Sequence, residues 1–320
     1  MFDPQGRIFV AGHTGLLGSA LLRVLEEEGC RPPITRTHGE LDLKDRAAVE
    51  ALFVAEGPEY VFLAAGLAGG IQDNRERPAT YLHENLAIQD SVFEACLRHQ
   101  VRQVVFCGSS CTYPKVCTQP MCEADWLSGP VEETSRAYAA AKIAGMTACW
   151  AYNQQYGANR FICLVPGTMY GPNDHFDPKS AHVISAMMRR FAEARRSGAP
   201  EVVLWGTGTP KREFVHASDV ARAAVFAMKN AERLENAFYN VGTGEETEIR
   251  ILARLIAGVA GYTGALRFDT SKPNGAFRKL LDSTRFRTLG WSPRVRLEDG
   301  LKSAYAWFLE HIFTKEIPAT

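Results

Sequence analysis

Short apolar runs and helix-like apolar patterns alternate through the first half of the chain. The runs of strand length, rich in Val, Ile, Phe and Leu, are segments 7–12, 58–66, 104–108 and 158–167. The segments in which apolar residues recur at helical spacing are 16–29, 78–100 and 135–157. Strands that alternate with helices are joined by right-handed crossovers, which lay the strands parallel in one sheet. We therefore predict an α/β protein with a doubly wound parallel Rossmann sheet.

After Pro166 the predicted elements are shorter, and helices and strands alternate less regularly. A loop-like stretch is followed by a helical pattern, a strand–turn–strand pattern, a second helical pattern and a further strand. These five features occupy segments 170–178, 181–198, 202–219, 219–231 and 237–245. This mixture is what we expect of a substrate-capturing domain.

The change in pattern divides the chain into two predicted domains. A chain of 320 residues exceeds the size at which a single core usually stops growing. We predict a Rossmann domain over residues 1–167 and a smaller mixed α/β domain over residues 168–320. We also expect a segment of about 214–244 to return to the first domain.

Charge and composition exclude several classes of function. Lys and Arg number 36, as do Asp and Glu, so no global field points to DNA, RNA or an acidic membrane. No segment holds 18 uninterrupted apolar residues, and the N-terminal residues enter a strand directly. We therefore expect no transmembrane helix, no signal peptide, and neither a nucleic-acid nor a membrane partner.

The chain has eight cysteines but no C-x-x-C pair. Several lie in apolar runs, where Cys behaves as a small hydrophobic residue. Cys111, Cys117 and Cys122 are an alternative metal site, but their spacing is loose and no histidine accompanies them, so we expect no metal. Reduced thiols are typical of the cytoplasm, where we expect the protein to reside.

Three glycines stand at the first strand-to-helix junction, in the stretch GHTGLLG. Gly12, Gly15 and Gly18 would permit a tight turn, let the backbone approach a pyrophosphate, and let the helix pack closely on the strand. The N-terminus of the helix then offers amide groups and a positive dipole end to the anion. This placement predicts a dinucleotide site, whereas a tight structural turn is the alternative.

The end of the second strand, about 20 residues further on, distinguishes NAD from NADP. NAD-binding proteins usually carry an acid there, but this chain has Arg36, Thr37 and His38. A guanidinium suits a 2′-phosphate, so we predict NADP(H), and we expect Asp42 and Leu43 near the adenine. An exposed arginine in a solvated loop is the alternative.

Tyr138 and Lys142 lie four residues apart in YAAAK and so on one face of a predicted helix. An ammonium near a phenol favours the phenolate, so we expect Lys142 to lower the pKa of Tyr138 from about 10. Tyr138 could then donate and accept protons near neutral pH. Ser109, about 30 residues upstream, could hydrogen-bond the same substrate oxygen.

Six segments together resemble one enzyme family. They are GHTGLLG, CGSSCTYPK, YAAAK, HVISAMMRRF, GTPKREFVH and RKLLDSTRFRTLGW. They look like the GDP-L-fucose synthases of the extended short-chain dehydrogenase/reductase superfamily, over about residues 7 to 310. The glycine loop and the Tyr-Lys pair identify only the superfamily. The serine–cysteine and histidine–arginine segments identify its sugar-nucleotide epimerase/reductases.

The resemblance implies an activity and the residues that perform it. The family converts GDP-4-keto-6-deoxy-D-mannose to GDP-L-fucose, by epimerising C3 and C5 and then reducing C4 with NADPH. The implied reductive triad is Ser109, Tyr138 and Lys142, and the implied acid/base pair for epimerisation is Cys111 and His182. The resemblance also implies a homodimer, in which the helices of segments 78–100 and 135–157 pair.

The chemistry of a ketone fits the acid/base roles that the resemblance implies. Protons beside a ketone are acidic because the enolate spreads charge onto the C4 oxygen, which donors such as Ser109 and Tyr138 would stabilise. Inversion needs one group that removes the proton and another that returns it on the other face, and a thiol and an imidazole suit that exchange. In an extended loop, Ser109 and Cys111 would face one sugar ring. The alternatives are a packing cysteine at 111 and an ordinary helix N-terminal histidine at 182.

The resemblance further implies the binding residues. Arg189 and Arg190 both lie two helical turns after His182, and the resemblance selects Arg190, with Arg212 and Lys279, for the diphosphate of a GDP-sugar. It places Trp205 beside the substrate. The other implied cofactor contacts are Thr14, Leu16, Leu17, Ala64, Ala65, Pro166, Thr168, Met169, Tyr138, Lys142 and His182.

The chain departs from the family pattern at three positions. Thr168 stands where the family usually has Asn, Thr14 where it often has Arg, and Asn274 where an acid commonly approaches the nucleotide. These departures leave open a related GDP-4-keto-deoxysugar substrate, leading to GDP-L-colitose or a 6-deoxyheptose. A non-catalytic NADP-binding regulator is the alternative of a different class.

Overall fold

The computed structural model describes residues 2–157, 159–178, 180–236, 238–272 and 274–316. The first residues of the strands predicted from 158 and 237 lie outside this part of the chain. The described strands are β1 (Ile8–Ala11), β2 (Tyr60–Leu63), β3 (Gln103–Cys107), β4 (Phe161–Pro166), β5 (Thr168–Tyr170), β6 (Glu201–Trp205), β7 (Lys211–His216), β8 (Phe238–Val241), β9 (Glu246–Glu248), β10 (Ala265–Asp269) and β11 (Arg278–Lys279). The described α-helices are α1 (Leu16–Glu27), α2 (Arg46–Glu56), α3 (Ile71–Glu76), α4 (Pro78–Arg98), α5 (Arg136–Tyr156), α6 (Val183–Ser197), α7 (Ala217–Lys229), α8 (Ile249–Ala260), α9 (Thr284–Thr288) and α10 (Leu297–Phe308).

The main sheet is parallel, with the strand order β1-β2-β3-β4-β8. Beyond β1, Ile34 forms an isolated parallel bridge with Phe9. From β1 the chain therefore passes first to Ile34 on one side of this strand and then to β2 on the other side. This reversal of direction makes a topological switch point at β1. The expected second strand is therefore reduced to a single bridge, because the chain turns away after Ile34 into the loop that carries Arg36.

Helices cover both faces of this sheet, which confirms the predicted doubly wound fold. On one face, α1 and α7 bury Leu21 and Val220 against the strands. On the other face, α2, α4 and α5 bury Phe53, Phe93 and Cys149. Strands β1, β2 and β4 carry almost only apolar residues because both of their faces are covered.

A separate core lies under α6, α8 and α10, around residues such as Phe191, Ile256 and Phe308. Two small sheets accompany it. One pairs β6 with β10, and the other has the order β11-β7-β5, with β9 antiparallel to β7. The strands predicted as one strand–turn–strand unit, β6 and β7, belong to different sheets.

The chain returns to the main sheet after β7. Helix α7 packs in the same core as α1, and β8 pairs with β4. Strand β7 itself belongs to the smaller β11-β7-β5 sheet. The division of the chain at residue 167 stays a prediction.

The apolar pattern does not predict helices α2, α3, α8, α9 and α10. Helix α2 nevertheless has clear end residues: the Asp45 carboxylate accepts hydrogen bonds from the Ala47 and Ala48 amides, and Gly57 closes the helix at φ +53°. Among the described helices, none combines the length and the apolarity needed to cross a membrane.

Candidate active site

The glycine loop lies at the carboxyl end of β1, beside the residues that follow β2. Gly12 has φ +85°, and a Cβ there would stand 2.6 Å from the Ala65 nitrogen. A Cβ on Gly18 would stand 2.0 Å from the Gly12 oxygen, so this glycine lets α1 pack directly on the loop. The turn therefore requires these two glycines for close backbone approach, as the sequence suggested.

The open side of this loop fits a phosphate. Gly15 is the N-cap of α1, and both Thr14 and Gly15 are exposed. A Cβ on Gly15 would meet only the Gly12 oxygen, at 3.5 Å. The amide groups of Leu16 and Leu17 begin the helix there, while the Leu17 side chain is buried in the core. Backbone donors thus face an accessible cradle, which is the arrangement that binds a pyrophosphate.

The residues predicted to select the cofactor line the loop after Ile34. Arg36 pairs with Glu56, and its Nη1 donates to the Thr35 oxygen at 2.8 Å. His38 is exposed, and the Asp42 carboxylate accepts from the Lys44 amide at 3.0 Å. Leu43 packs partly against the core. Arg36 is thus close to the cofactor end of the sheet but is engaged by a carboxylate.

Tyr138 and Lys142 lie on the first turns of α5 and face the carboxyl end of β3. The Lys142 ammonium donates to the Cys107 oxygen at 2.8 Å, and it lies 5.9 Å from the centroid of the Tyr138 ring. Lys142 is only 6% exposed, and this burial lowers its pKa. The Tyr138 ring also packs edge-on against Tyr81, with the centroids 6.2 Å apart.

The expected acidification of Tyr138 is wrong for this structure. Burial raises the pKa of Tyr138 above its usual range, and the thiols of Cys111 and Cys107 act in the same direction. The Lys142 ammonium does not outweigh the effect of burial, because it donates to the Cys107 oxygen rather than to the phenol oxygen. Tyr138 is therefore held protonated, the form in which a phenol can donate a proton.

Ser109 and Cys111 follow β3, and the turn between them is tighter than expected. Ser109 is extended, but Ser110–Thr112 form a 3₁₀ turn instead of an extended loop. The Ser109 hydroxyl oxygen accepts from the Cys111 amide at 3.2 Å, and the Ser109 carbonyl accepts from the Thr112 amide at 3.1 Å. These bonds curl the chain so that serine and cysteine remain neighbours without an extended backbone.

Cys111 lies among cations contributed by distant parts of the chain. Its sulfur is 3.7 Å from the Lys279 Nζ on β11. Burial opposes ionisation of the thiol, but Lys279, the Ser109 hydroxyl and His182 together outweigh it, so the pKa of Cys111 lies below its ordinary value. A thiol of this kind is a usable base and nucleophile.

His182 is the N-cap residue of α6, and its Nδ1 lies 3.9 Å from Asp174 Oδ1. Burial disfavours the imidazolium, but the charges of Asp174 and Cys111 outweigh it and raise the pKa of His182. Asp174 is itself held by hydrogen bonds from the Ser185 hydroxyl and the His175 amide. Each charged form therefore favours the other: an imidazolium at His182 lowers the pKa of the thiol, and a thiolate at Cys111 raises the pKa of the imidazole.

Two further carboxylates, Asp174 and Glu213, belong to the site although the sequence pattern did not predict them. Asp174 lies in a loop-like stretch whose sequence gives no periodic indication of a partner for His182. The carboxylate of Glu213, 2% exposed, accepts from the amides of Gly244 and Leu281 at 2.7 and 3.2 Å. A charged residue directly before the apolar residues Phe214 and Val215 of β7 was the indication available.

One loop connects the remaining predicted substrate residues. The Asn274 side chain accepts from the Thr207 amide at 2.8 Å, two residues after Trp205, whose side chain is 50% exposed. A Cβ on Gly275 would lie 3.5 Å from Arg212. Lys279, at the end of this loop, reaches Cys111. The segment from Asn274 to Lys279 thus runs from the surroundings of Trp205, past Arg212, to the Cys111 thiol.

The two arginines of α6 differ in their surroundings. The Arg189 guanidinium is buried, donating to the Phe176 oxygen at 2.6 Å and to both carboxylate oxygens of Glu316 at 2.7 and 2.8 Å. Arg190 is exposed, donates to the Val203 oxygen at 3.0 Å, and lines an open groove of about 460 Å³. Arg190 is therefore the accessible member of the pair.

The other predicted cofactor residues lie at or just after the carboxyl ends of β2 and β4. Ala64 and Ala65 follow β2, Pro166 ends β4, and Thr168 and Met169 begin β5. Within the described residues, no group of three or more His, Cys, Asp or Glu side chains is placed to hold a metal ion. All eight cysteines are free.

Comparison with known proteins identifies the family to which the chain belongs. Residues 8–242 match the model of the NAD dependent epimerase/dehydratase family. GDP-L-fucose synthase 1 of Arabidopsis thaliana is 47% identical over 98% of this chain and 96% of its own length. GDP-L-fucose synthase of Escherichia coli is 46% identical over 95% of this chain and 97% of its own length.

Two solved structures have the same fold. A GDP-6-OMe-4-keto-L-xylo-heptose reductase from Campylobacter jejuni superposes with a TM-score of 0.89, at 32% identity, over 97% of this chain and 99% of the other. A GDP-L-fucose synthetase from Naegleria fowleri, bound to NADP, has a TM-score of 0.88 at 25% identity, covering 98% and 97%. With its glycine cradle and its serine–tyrosine–lysine and cysteine–histidine groups in one site, the chain belongs to the NAD dependent epimerase/dehydratase family, among the GDP-L-fucose synthases.

Proposed function

We propose that the protein converts GDP-4-keto-6-deoxy-D-mannose to GDP-L-fucose, by NADPH-dependent epimerisation at C3 and C5 and reduction at C4. The observation that carries this proposal is the convergence of two chemically distinct groups in one site. Ser109, Tyr138 and Lys142 suit a ketone reductase, whereas Cys111 and His182 suit proton exchange at the carbons beside a ketone. A simple reductase needs only the first group.

NADP(H) is the proposed cofactor. The cradle of Gly12, Gly15 and the first turn of α1 would hold its pyrophosphate, and Arg36 is the proposed partner of its 2′-phosphate. The remaining proposed contacts are Thr14, Leu16, Leu17, His38, Asp42, Leu43, Ala64, Ala65, Pro166, Thr168, Met169 and His182. Bound NADPH supplies the hydride for reduction of C4.

In the epimerisation, Cys111 removes the proton from the carbon and His182 returns one on the opposite face. The thiolate sulfur takes up the proton, and the imidazolium gives its own proton to the enolate carbon. Ser109 and Tyr138 donate hydrogen bonds to the C4 oxygen, on which the enolate charge resides. Exchange with solvent then restores both groups for the second centre.

In the reduction, Tyr138 gives its proton to the C4 oxygen as the alcohol forms. Its raised pKa keeps that proton in place until charge develops on the oxygen. Lys142, anchored to the Cys107 oxygen, holds a positive charge beside the tyrosine ring and so favours the phenolate that remains.

The GDP moiety is assigned to the surface between α6 and the loop before β11. Arg190, Arg212 and Lys279 provide the cations for a diphosphate, and the exposed ring of Trp205 lies at the outer end of the same loop. We assign the first domain (1–167) to the cofactor and the second (168–320) to the GDP-sugar. The free thiols support a cytoplasmic location.

Two other functions fit the site less well. A related epimerase/reductase, leading to GDP-L-colitose or a 6-deoxyheptose, shares the chemistry, but the heptose reductase is 32% identical to this chain, whereas the GDP-L-fucose synthases of Arabidopsis thaliana and Escherichia coli are 47% and 46% identical to it. A non-catalytic NADP-binding regulator would not need five catalytic groups in one site.

The deciding experiment is incubation with NADPH and a panel of GDP-4-keto sugars, followed by NMR of the products. We expect GDP-L-fucose from GDP-4-keto-6-deoxy-D-mannose, with much slower turnover of the other sugars. Faster turnover of a GDP-linked heptose or dideoxy sugar would assign that sugar as the substrate. Oxidation of NADPH without formation of a reduced GDP-sugar would refute the proposed function.

A further inference from the structure

Lys279 is held in place from both sides of its strand. It pairs in register with Arg212, because β11 runs parallel to β7. Just beyond it, the Leu280 amide donates to the Gln119 side chain at 2.9 Å, and the Leu281 amide donates to Glu213 at 3.2 Å. The ammonium is therefore presented by an anchored backbone rather than by a free loop.

The group that Lys279 reaches is the sulfur of Cys111, at 3.7 Å. The cysteine is fixed as well, since its amide donates to the Ser109 hydroxyl. The other charged groups that act on the thiol are His182 at the start of α6 and Arg212 on β7, which is itself buried enough to lower its pKa. Tyr138 on α5 faces it as a neutral phenol.

The contact with sulfur indicates a role for Lys279 at Cys111 besides binding of a diphosphate. An ammonium beside sulfur favours the thiolate, the form that removes protons. His182 and Arg212 contribute to the same field. The Lys279 ammonium is hydrogen-bonded to the sulfur itself, so its effect on the thiol comes through a direct contact.

We propose that Lys279 is a positioning residue for epimerisation, whose ammonium holds Cys111 as the thiolate before any sugar arrives. The proposal rests on the proposed function only in that Cys111 is taken as the proton-transfer group. Two roles of Lys279 can be distinguished. A diphosphate ligand acts only when substrate is bound, whereas a partner of the thiolate acts in the free enzyme as well.

The test is the pH dependence of Cys111 alkylation by iodoacetamide in the ligand-free, full-length protein, followed by mass spectrometry of the Cys111 peptide. We expect the wild-type rate to reach half its maximum below the ordinary thiol value of about 8.5. Lys279→Met should move this midpoint upward by about one pH unit, equivalent to about a tenfold loss of thiolate near neutral pH. Lys279→Arg should restore the low midpoint.

Arg278→Met is the matched control. Arg278 is the adjacent residue of β11, but its Nε pairs with Glu246 at 2.5 Å, away from the thiol. This variant should leave the alkylation midpoint unchanged. Should Lys279→Met fail to fold, Lys279→Gln serves in its place, and the melting temperature of each variant is recorded alongside.

An unchanged midpoint in the folded Lys279→Met or Lys279→Gln variant overturns the proposal. A raised KM for the GDP-sugar with an unchanged thiol midpoint would identify Lys279 as a diphosphate ligand alone. Neither result bears on the proposed function, which depends on product analysis and on proton exchange by Cys111 itself.

Discussion

At the scale of single residues, Cys111 and His182 derive their reactivity from the charges around them. The pKa of the thiol is lowered and that of the imidazole is raised, in each case against the effect of burial. Exchange needs the sulfur without a proton and the imidazole with one. The lowered pKa of Cys111 extends the thiolate to lower pH, and the raised pKa of His182 extends the imidazolium to higher pH. The pH range in which both forms are present is therefore wider.

Cys111→Ser should slow deuterium uptake at C3 and C5 of the substrate in heavy water by about a hundredfold or more. A serine hydroxyl nearly preserves the shape but is a far weaker acid, so it carries the proton poorly. Reduction depends on other residues, so the variant should still form some GDP-6-deoxyhexose of unepimerised configuration. NMR in deuterated buffer, with and without NADPH, measures both. Wild-type exchange in the variant would make Cys111 a packing residue.

His182→Asn should also impair exchange, and it tests the opposite face of the sugar. Because His182 begins the helix that carries Arg190, substrate affinity must be measured beside the exchange rate. A variant that binds the GDP-sugar normally and yet exchanges at the wild-type rate would contradict the assignment.

Tyr138→Phe should abolish C4 reduction and leave NADPH binding nearly intact. The phenol is the proposed proton donor to the C4 oxygen, whereas the ring that packs against Tyr81 remains. Single-turnover NADPH oxidation and a binding titration measure the two effects separately. Normal turnover with the 4-keto substrate would exclude Tyr138 as the donor.

NADPH should bind at least about tenfold more tightly than NADH, a difference of about 1.4 kcal/mol. The reason is that Arg36 stands where NAD-binding proteins carry an acid, and a guanidinium binds a 2′-phosphate. To do so, Arg36 must leave its ion pair with Glu56. Arg36→Leu should narrow the preference, and titration by cofactor fluorescence gives both dissociation constants. Equal constants in the wild type would refute it.

At the scale of elements, Glu213 joins pieces of the chain that carry the site. Its carboxylate on β7 accepts from the amide of Gly244, after β8, and from that of Leu281, after Lys279. A Cβ on Gly167, between β4 and β5, would stand 2.9 Å from its oxygen. Burial raises the pKa of Glu213 to about 7, against the hydrogen bonds that favour its ionised form.

This buried carboxyl should make stability depend on pH. In the unfolded chain Glu213 ionises near 4.5 and in the folded chain near 7, so its contribution is complete below 4.5 and is lost as the pH rises to 7. The loss is about 3 kcal/mol. Glu213→Gln cannot ionise, so the wild type should lose more unfolding free energy than this variant between pH 4.5 and 7.5.

Urea unfolding at the two pH values measures this difference, and Glu235→Gln is the control. Glu235 pairs with Arg285 on the surface with its side chain 78% exposed, so its replacement should leave the pH dependence unaltered. Identical pH dependence in Glu213→Gln and the wild type would show that the carboxyl titrates normally.

At the scale of the whole molecule, α4 and α5 retain apolar surface after the monomer has folded. Leu86, Trp150 and Tyr156 are 36%, 52% and 50% exposed. Gln89 is buried on the same helix pair, yet neither of its polar atoms has a hydrogen-bond partner among the described residues. A second copy packed on this face would cover the apolar side chains.

We therefore expect a homodimer, with a mass about twice the 35.3 kDa of the monomer. Light scattering at micromolar concentration measures it. Trp150→Glu should shift the mass towards the monomer because it places a charge in the interface, whereas Val54→Glu, on α2 and 70% exposed, should not. A wild-type mass near 35.3 kDa would contradict the prediction.

Local pattern determined the elements and the residue types of the site. Strand β1, the glycine turn and helix α1 follow from adjacent residues, because a close backbone approach at Gly12 and Gly18 requires glycine in any fold of this type. The helices α4 and α5 follow from apolar spacing, and Tyr138 and Lys142 share a face because helix geometry places residues four apart together.

Only the tertiary structure decided which groups meet and in which state of charge. Lys279 reaches Cys111 across 168 positions of sequence, and Asp174 reaches His182 from a loop without periodicity. The pKa of Tyr138 rises where spacing alone suggested a fall, because burial outweighs the neighbouring ammonium. Ile34 forms a single bridge because the chain leaves the sheet there. Sequence spacing reports distances along one helix or strand, whereas desolvation and contacts between elements depend on how the whole chain packs.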